Sequence, residues 1–302
     1  MSARTILVVG SLAYDAVRTP LASRDEVLGG AASYFSMAAS LYAPVRLVGV
    51  VGDDFKDEDV ARLVRRGIDI AGLERRRGRS FRWRGTYDFA LDTAETINTD
   101  LGVFGDWRPK IPPEFADSDL LFLANIHPEI QLATLEQIRR PSLVVLDTMN
   151  YWIEKERDAL IRVIERADLV SVNEGEVRQL VGTTSIVRGA RAILGLGPRA
   201  LIVKRGEHGA TLFTGDSMFW SPAWPLEDIV DPTGAGDTFA GGVLGYLSAQ
   251  STIDDAALRR AVLHGSVCAS FAVEQFSVDG IEAATRSDVE ERHDALRDLI
   301  RV

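Results

Sequence analysis

The stretch DPTGAGDTFAGG at residues 231–242 places the small residues Gly234, Ala235 and Gly236 directly before Asp237. Behind them Phe239, Val243, Tyr246 and Leu247 recur at helical spacing. The small residues therefore read as a tight loop that opens a helix, with Asp237 in or just before its first turn. Such a loop aims backbone N–H groups at one point, and the helix N-terminus adds partial positive charge there. This is an anion site with a carboxylate beside it. A plainer reading stays open here, because Asp is a good N-cap residue and Gly is ordinary loop material.

Asn125, Asp147, Asn173 and Lys204 each close an apolar run: LLFLAN at 120–125, LVVLD at 143–147, LVSVN at 169–173 and ALIVK at 200–204. Helical stretches separate these runs. The rhythm predicts an α/β fold with an open, mainly parallel sheet flanked by helices. Ligands of such sheets lie beyond the carboxyl ends of the strands. The four strand-end residues and the 234–237 loop are thus expected to share one site. TILVVG (5–10) and VRLVGVVGDD (45–54) add strands, and residues 31–42, 55–66, 254–273 and 287–300 read as helices.

Segments 11–28 and 79–106 break the rhythm. In the second, Phe81, Trp83, Tyr87 and Phe89 share one face, with Arg82, Arg84, Thr86 and Asp88 on the other. Both segments read as antiparallel strands outside the main sheet, serving as a lid or as a homodimer surface. The 302 residues, 46% hydrophobic, are read as one domain.

The net charge is −10, and the one basic cluster, ERRRGR at 74–79, reads as a solvated turn, so no nucleic-acid partner is expected. The single cysteine, Cys268, forms no intrachain disulfide and points to a reducing cytoplasm. No apolar run suits a signal peptide or a membrane span. Four histidines and one cysteine argue against structural zinc. The G-x-x-x-x-G-K-[ST] loop is absent, and the turn after the first strand, GSLAYD, lacks G-x-G-x-x-G. The anion loop lies late in the chain, where neither common nucleotide fold has it.

Taken together, these stretches resemble the ribokinase-like, or PfkB, carbohydrate and nucleoside kinases. DPTGAGDTFAGG is similar to that family's C-terminal signature, and LGGAASYFSMAASLYAPVRLVGVVGDD at 28–54 to its N-terminal one. NEGE at 173–176 resembles its N-x-x-E motif and KRGEHG at 204–209 its nucleotide loop. The resemblance implies ATP-dependent phosphorylation of a hydroxyl on a sugar-like small molecule. Asp237 would be the general base, and the N–H groups of Gly234, Ala235 and Gly236 would cradle the phosphoryl group. Asn173 and Glu176 would hold Mg²⁺ through water. Read alone, NEGE is a helix start capped by Asn173. Lys204, Gly206 and Gly209 would lie along ATP, and His264 with Cys268 would wall the adenine. Asp231 and Thr233 match positions that bind a monovalent cation such as K⁺, although VEQFSVDG (273–280) stands where a glycine-containing loop is usual.

On the acceptor side, the resemblance assigns Asp15 to two sugar hydroxyls and makes Gly29 and Gly30 the joint between lid and core. Tyr34 departs from the family, which commonly has Asn there; its ring predicts a tighter, less polar pocket. Asn125, His127, Asn150 and Trp152 are further pocket candidates. Arg84, with Arg82, would pair with an anionic substrate group if its face looks inward, and is a solvated charge if it looks outward. The alternatives are a nucleoside kinase, its base stacking on Tyr34, Trp83 or Tyr87, and a kinase-like binding protein without catalysis.

Overall fold

Runs of Val, Leu and Ile without polar alternation suit strands covered on both faces. In the computed structural model, which describes residues 3–91, 94–215 and 217–301, these runs form the central sheet. The strands in chain order are β1 (Ile6–Val9), β2 (Ala13–Arg18), β3 (Ser23–Gly29), β4 (Val45–Gly52), β5 (Asp69–Arg76), β6 (Phe81–Thr86), β7 (Glu95–Asp100), β8 (Leu120–Leu123), β9 (Leu143–Asp147), β10 (Leu169–Asn173), β11 (Ala200–Lys204), β12 (Ala210–Thr214) and β13 (Ser217–Ser221). The main sheet has the order β13-β12-β11-β10-β9-β8-β1-β4-β5. It is parallel from β5 to β11, and β12 and β13 run antiparallel.

The chain grows from β1 outward to β4 and β5, then returns to β8 and grows the other way. The order reverses between β1 and β8, where a doubly wound sheet opens a crevice at its carboxyl rim. Alternate residues of β1 face opposite cores: Ile6 and Val8 join the layer of helices Ala31–Ala39, Ala235–Ser248 and Asp255–Val273, while Leu7 and Val9 join the other layer. Phe35 stacks on Phe122 at 4.1 Å in the first layer. Each fully buried side chain of this size contributes about 1.5–3 kcal/mol. Among the described residues, no helix is long and apolar enough to cross a membrane.

The segments expected to stand apart form a second sheet, β3-β2-β6-β7. Its outer pairs are antiparallel, but β2 and β6 are parallel, which corrects the all-antiparallel expectation. The cause lies in the main sheet. β2 follows β1 and β6 follows β5, and these parallel strands leave the carboxyl rim in the same sense. The reading of ERRRGR at 74–79 as a turn is also corrected, because Glu74, Arg75 and Arg76 belong to β5. There Arg76 pairs with Glu74 at 2.8 Å and Arg75 with Asp57 at 2.8 Å. The small sheet is pinned to the core by Tyr14, whose hydroxyl donates to Asp59 and accepts from the Lys56 N–H, both at 2.8 Å.

Candidate active site

Helix Ala235–Ser248 begins at Gly234, whose φ of +74° and ψ of 0° are left-handed. A side chain there would be strained, and its Cβ would lie 2.3 Å from Cγ of Tyr34. Asp237 sits in the first helical turn, and no side chain caps the helix. The capping explanation of Asp237 is thereby removed. The Ala235 N–H donates to Pro232 O at 3.2 Å. The N–H groups of Gly234 and Gly236 have no backbone partner among the described residues, so these two are left for an anion.

On one side of Asp237 the strand ends supply a charged cluster. Lys204 ends β11, and its ammonium donates to both carboxylate oxygens of Asp147, at 3.0 and 3.2 Å. A Cβ on Gly236 would lie 3.0 Å from Lys204 Nζ, so the cation stands beside the anion loop. Burial would lower the Lys204 pKa, but Asp147, Glu176 and Asp237 hold it above its ordinary value. Burial raises Asp237 above the carboxylate range; Asp147 adds to this and Lys204 opposes it. Asn173 and Glu176 form a capping box, with Asn173 Oδ1 accepting from the Glu176 N–H at 2.8 Å and Glu176 Oε2 from the Asn173 N–H at 2.7 Å. Burial pushes Glu176 up to about 7.

On the other side stand Asp15, Tyr34, Tyr87 and Asp231. Asp15 is 4% exposed and fills the space a Cβ on Gly29 would need. Gly30, at φ +91°, turns the chain from β3 into helix Ala31–Ala39. Burial, then the Asp231 and Asp237 charges, push Asp15 up to about 8. Thr233 Oγ1 donates to the Tyr87 hydroxyl at 3.3 Å, joining the segment after β6 to the loop. Asp231 Oδ1 accepts from the Thr233 N–H at 2.9 Å, while its buried Oδ2 has no partner among the described residues. The Tyr34 hydroxyl is likewise buried and unpartnered.

This arrangement has known counterparts. Residues 3–283 match the pfkB family carbohydrate kinase model. A cytidine kinase of Thermococcus kodakarensis is 32% identical over 248 residues, covering 80% of this chain and 88% of that enzyme. An inositol 3-kinase of Arabidopsis thaliana is 26% identical, over 84% of this chain and 71% of that enzyme. The nucleoside kinase structure from Methanocaldococcus jannaschii superposes with a TM-score of 0.77 at 21% identity, covering 98% of this chain and 100% of its own. The chain belongs to the pfkB family of carbohydrate kinases.

As a pfkB kinase it has the ribokinase-like fold and is an ATP-dependent phosphotransferase acting on a hydroxyl group. Most site residues expected from sequence gather at the carboxyl rim. Gly206 and Gly209 turn β11 into β12, at φ +55° and +84°. Asn125 accepts from Trp152 Nε1 at 3.1 Å, and His127 caps helix Pro128–Leu135 through Nδ1 with its ring 5.0 Å from Trp152.

Arg84 and His264 are corrected. Asp15 pairs with Trp83 in the β2–β6 register and Ala16 with Arg84, so Arg84 lies on the face opposite Asp15. Its exposed side chain stands 3.6 Å from Asp25, while Arg82 on the same face pairs with Asp54 at 2.7 Å. His264 is 4% exposed and enclosed, stacked on Tyr246 at 4.3 Å and on His293 at 4.2 Å. With Tyr246 and His293 stacked on the imidazole, its faces are taken by protein rings rather than left for an adenine. Burial lowers His264 to about 3, so it packs there as a neutral ring.

Sequence spacing marks Asp147 only as a polar strand end. Its value as the Lys204 holder is hidden there because the two residues stand 57 positions apart. The available signal is the coincidence of an acid and a base closing two strands of the same sheet.

Proposed function

We propose that Asp237 is the general base of this kinase and that the N–H groups of Gly234 and Gly236, with the Lys204 ammonium, hold the transferring phosphoryl group. The observation that carries this is a buried carboxylate of raised pKa at a helix start where the Gly234 and Gly236 N–H groups have no backbone partner among the described residues, beside a held ammonium. The acceptor is a sugar or sugar-like molecule. Asp15 accepts two of its hydroxyl hydrogens and thereby aims a third hydroxyl at Asp237. Asp237 takes that proton as the oxygen attacks the terminal phosphorus of ATP. The proton ends on a carboxylate whose environment already favours the neutral form, a match that typically contributes ~10²–10⁴-fold.

Two ions fit the residues present. Glu176 spends Oε2 on its capping box, and its other oxygen suits a hydrated Mg²⁺, which supplies charge neutralisation on the ATP phosphates when bound. The unpartnered Oδ2 of Asp231 suits a monovalent cation such as K⁺. The β3-β2-β6-β7 sheet acts as the lid over the acceptor, excluding water, and its exposed Leu21 and Ile97 offer a surface to a second copy.

A nucleoside acceptor is the second reading. The Tyr34 and Tyr87 rings beside Asp15, and the cytidine kinase relative, support it. An ADP-release assay with ATP, Mg²⁺ and a panel of free sugars and nucleosides tests the proposal, with the phosphate ester confirmed by phosphorus NMR. Acceptor-dependent ester formation is expected. No ADP release and no ester from any acceptor leaves the catalytically silent reading.

A further inference from the structure

We infer that Trp220, an exposed residue outside the site described above, is a positioning residue for ATP. Its indole N–H holds the turn Gly206–His208 in the form that receives the nucleotide. The inference rests on the reading that this turn lies along ATP, and it adds the residue that fixes the turn.

The turn is weakly held by its own sequence. Gly206, Glu207 and His208 are exposed. Gly206 stands at φ +55°, and a Cβ there would meet nothing within 4 Å. Inside the turn, the His208 N–H donates to Arg205 O and the Gly209 N–H to Gly206 O, both at 3.0 Å. An exposed turn with so few contacts opens readily, and glycine gives the open form many conformations.

Two neighbours secure its ends. At the start, Arg205 Nε pairs with Glu174 at 2.5 Å, which ties the turn to helix Glu174–Val181 after β10. At the end, Gly209 is seated against the chain after β13, where a Cβ would lie 2.0 Å from Ser221 O. The middle is left to Trp220, whose Nε1 donates to His208 O at 2.9 Å. Among the described residues, no other hydrogen bond reaches 206–208 from outside 205–209.

The sheet brings the indole there. Trp220 stands opposite Thr211 on β12, and Thr211 opposite Val203 on β11, so the three share one face. From β13, at the edge of the main sheet, the ring leans back to the turn that joins β11 to β12. Trp220 is 58% exposed, a place where a polar side chain would be ordinary. The indole has one polar atom, and that atom is engaged by the turn. ATP binds the formed turn, so its apparent affinity scales with the fraction of molecules that hold it. Fixing the turn beforehand lowers the ordering cost of binding. Asp15 and Asp237 belong to other elements, so a loosened turn leaves the acceptor and the chemical step as they were once ATP saturates.

Trp220→Phe keeps a ring and removes the donor, and Trp220→Ala removes both. Binding of AMP-PNP, a non-hydrolysed ATP analogue, is measured by calorimetry with Mg²⁺, beside steady-state kinetics with an acceptor that turns over. The AMP-PNP Kd and the KM for ATP are expected to rise about fivefold in Trp220→Phe and about tenfold or more in Trp220→Ala. The kcat at saturating ATP and the acceptor KM should stay within about twofold of wild type. Hydrogen exchange at the His208 and Gly209 amides should quicken in both variants. Should Trp220→Ala fail to fold, Trp220→Phe decides by itself. An unchanged AMP-PNP Kd in Trp220→Phe overturns the inference. So does a rise matched by an equal rise in acceptor KM, which would mark a general loss of structure. Gly206→Val, which strains the left-handed turn itself, separates this failure from that of the nucleotide reading. Weakened AMP-PNP binding in Gly206→Val with unaltered binding in Trp220→Phe removes Trp220 alone. Unaltered binding in both removes the turn from the nucleotide site and the inference with it. Weakened binding in Trp220→Phe with unaltered binding in Gly206→Val would mean that Trp220 acts elsewhere, and also overturns it.

Discussion

The phosphoryl side and the acceptor side of this site are built from the same carboxylate chemistry and manage its charge in opposite ways. Asp147 and Glu176 surround an ammonium that stands beside the anion loop. Asp15 and Asp231 instead act on two phenols, those of Tyr34 and Tyr87. Asp237 belongs to both, raised by Asp147 and opposed by Lys204 on one side and raising Asp15 on the other. A buried cation prepares one side for a polyanion. Unsatisfied acceptors prepare the other for hydroxyl donors. The base sits at the boundary, where a proton must leave the second kind of ligand as the first kind is attacked.

The largest expected effect comes from removing the shared residue. Asp237→Asn keeps shape and most hydrogen bonds but cannot take a proton. Turnover should fall ~10²-fold or more with little change in ATP affinity. A variant with wild-type kcat on a verified acceptor would detach Asp237 from the chemistry and dissolve the boundary between the two sides.

Smaller effects sharpen the phosphoryl half. The base must be ionised, and its pKa is raised, so kcat/KM should fall as pH drops, at a pH well above the usual carboxylate range. Asp147→Asn removes a charge that raises Asp237, so this acid limb should move to lower pH. Lys204→Met removes the opposing cation, so the limb should move to higher pH, and kcat should fall about tenfold or more with the lost phosphoryl contact. Limbs that shift in the same direction in both variants would show that the pair acts only through packing.

How much of this was legible before the fold depends on sequence distance. The Gly234–Asp237 loop and the Asn173–Glu176 pair are local motifs, and their positions could be read from spacing because one turn of chain builds each. The strands also declared themselves, since Leu143–Asp147 or Ala200–Lys204 have no polar alternation. Arg84 was a different case. Its face depends on the β2–β6 register, and that pairing joins segments separated by two main-sheet strands. Strand β6 also ends at Thr86, so its alternation does not reach Phe89, which is 90% exposed. His264 was misplaced because its partners come from helix Ala235–Ser248 and from helix Arg286–Leu299, and a helical pattern cannot say which neighbour its polar ring meets. The parallel pairing of β2 with β6 was hidden for a similar reason, as it follows from where each strand leaves the main sheet.

The smallest effect tests whether the acceptor side truly keeps its polar atoms for a ligand. Tyr34 packs its ring against Gly234, so the ring is part of the empty protein's structure. Its hydroxyl is buried and unpartnered, so that atom adds nothing to the empty protein. Tyr34→Phe removes the atom and keeps the ring. An unsatisfied buried hydroxyl costs on the order of 1 kcal/mol, so the variant should be more stable by about that much, a rise in Tm of roughly 2 °C without acceptor. The acceptor, once bound, loses one hydrogen bond, so its KM should rise about fivefold while ATP affinity holds. The two changes have opposite signs because the hydroxyl is idle in one state and engaged in the other. A destabilised Tyr34→Phe protein with an unchanged acceptor KM would mean that the hydroxyl has a structural partner, and the acceptor side would then resemble the self-satisfied phosphoryl side rather than contrast with it.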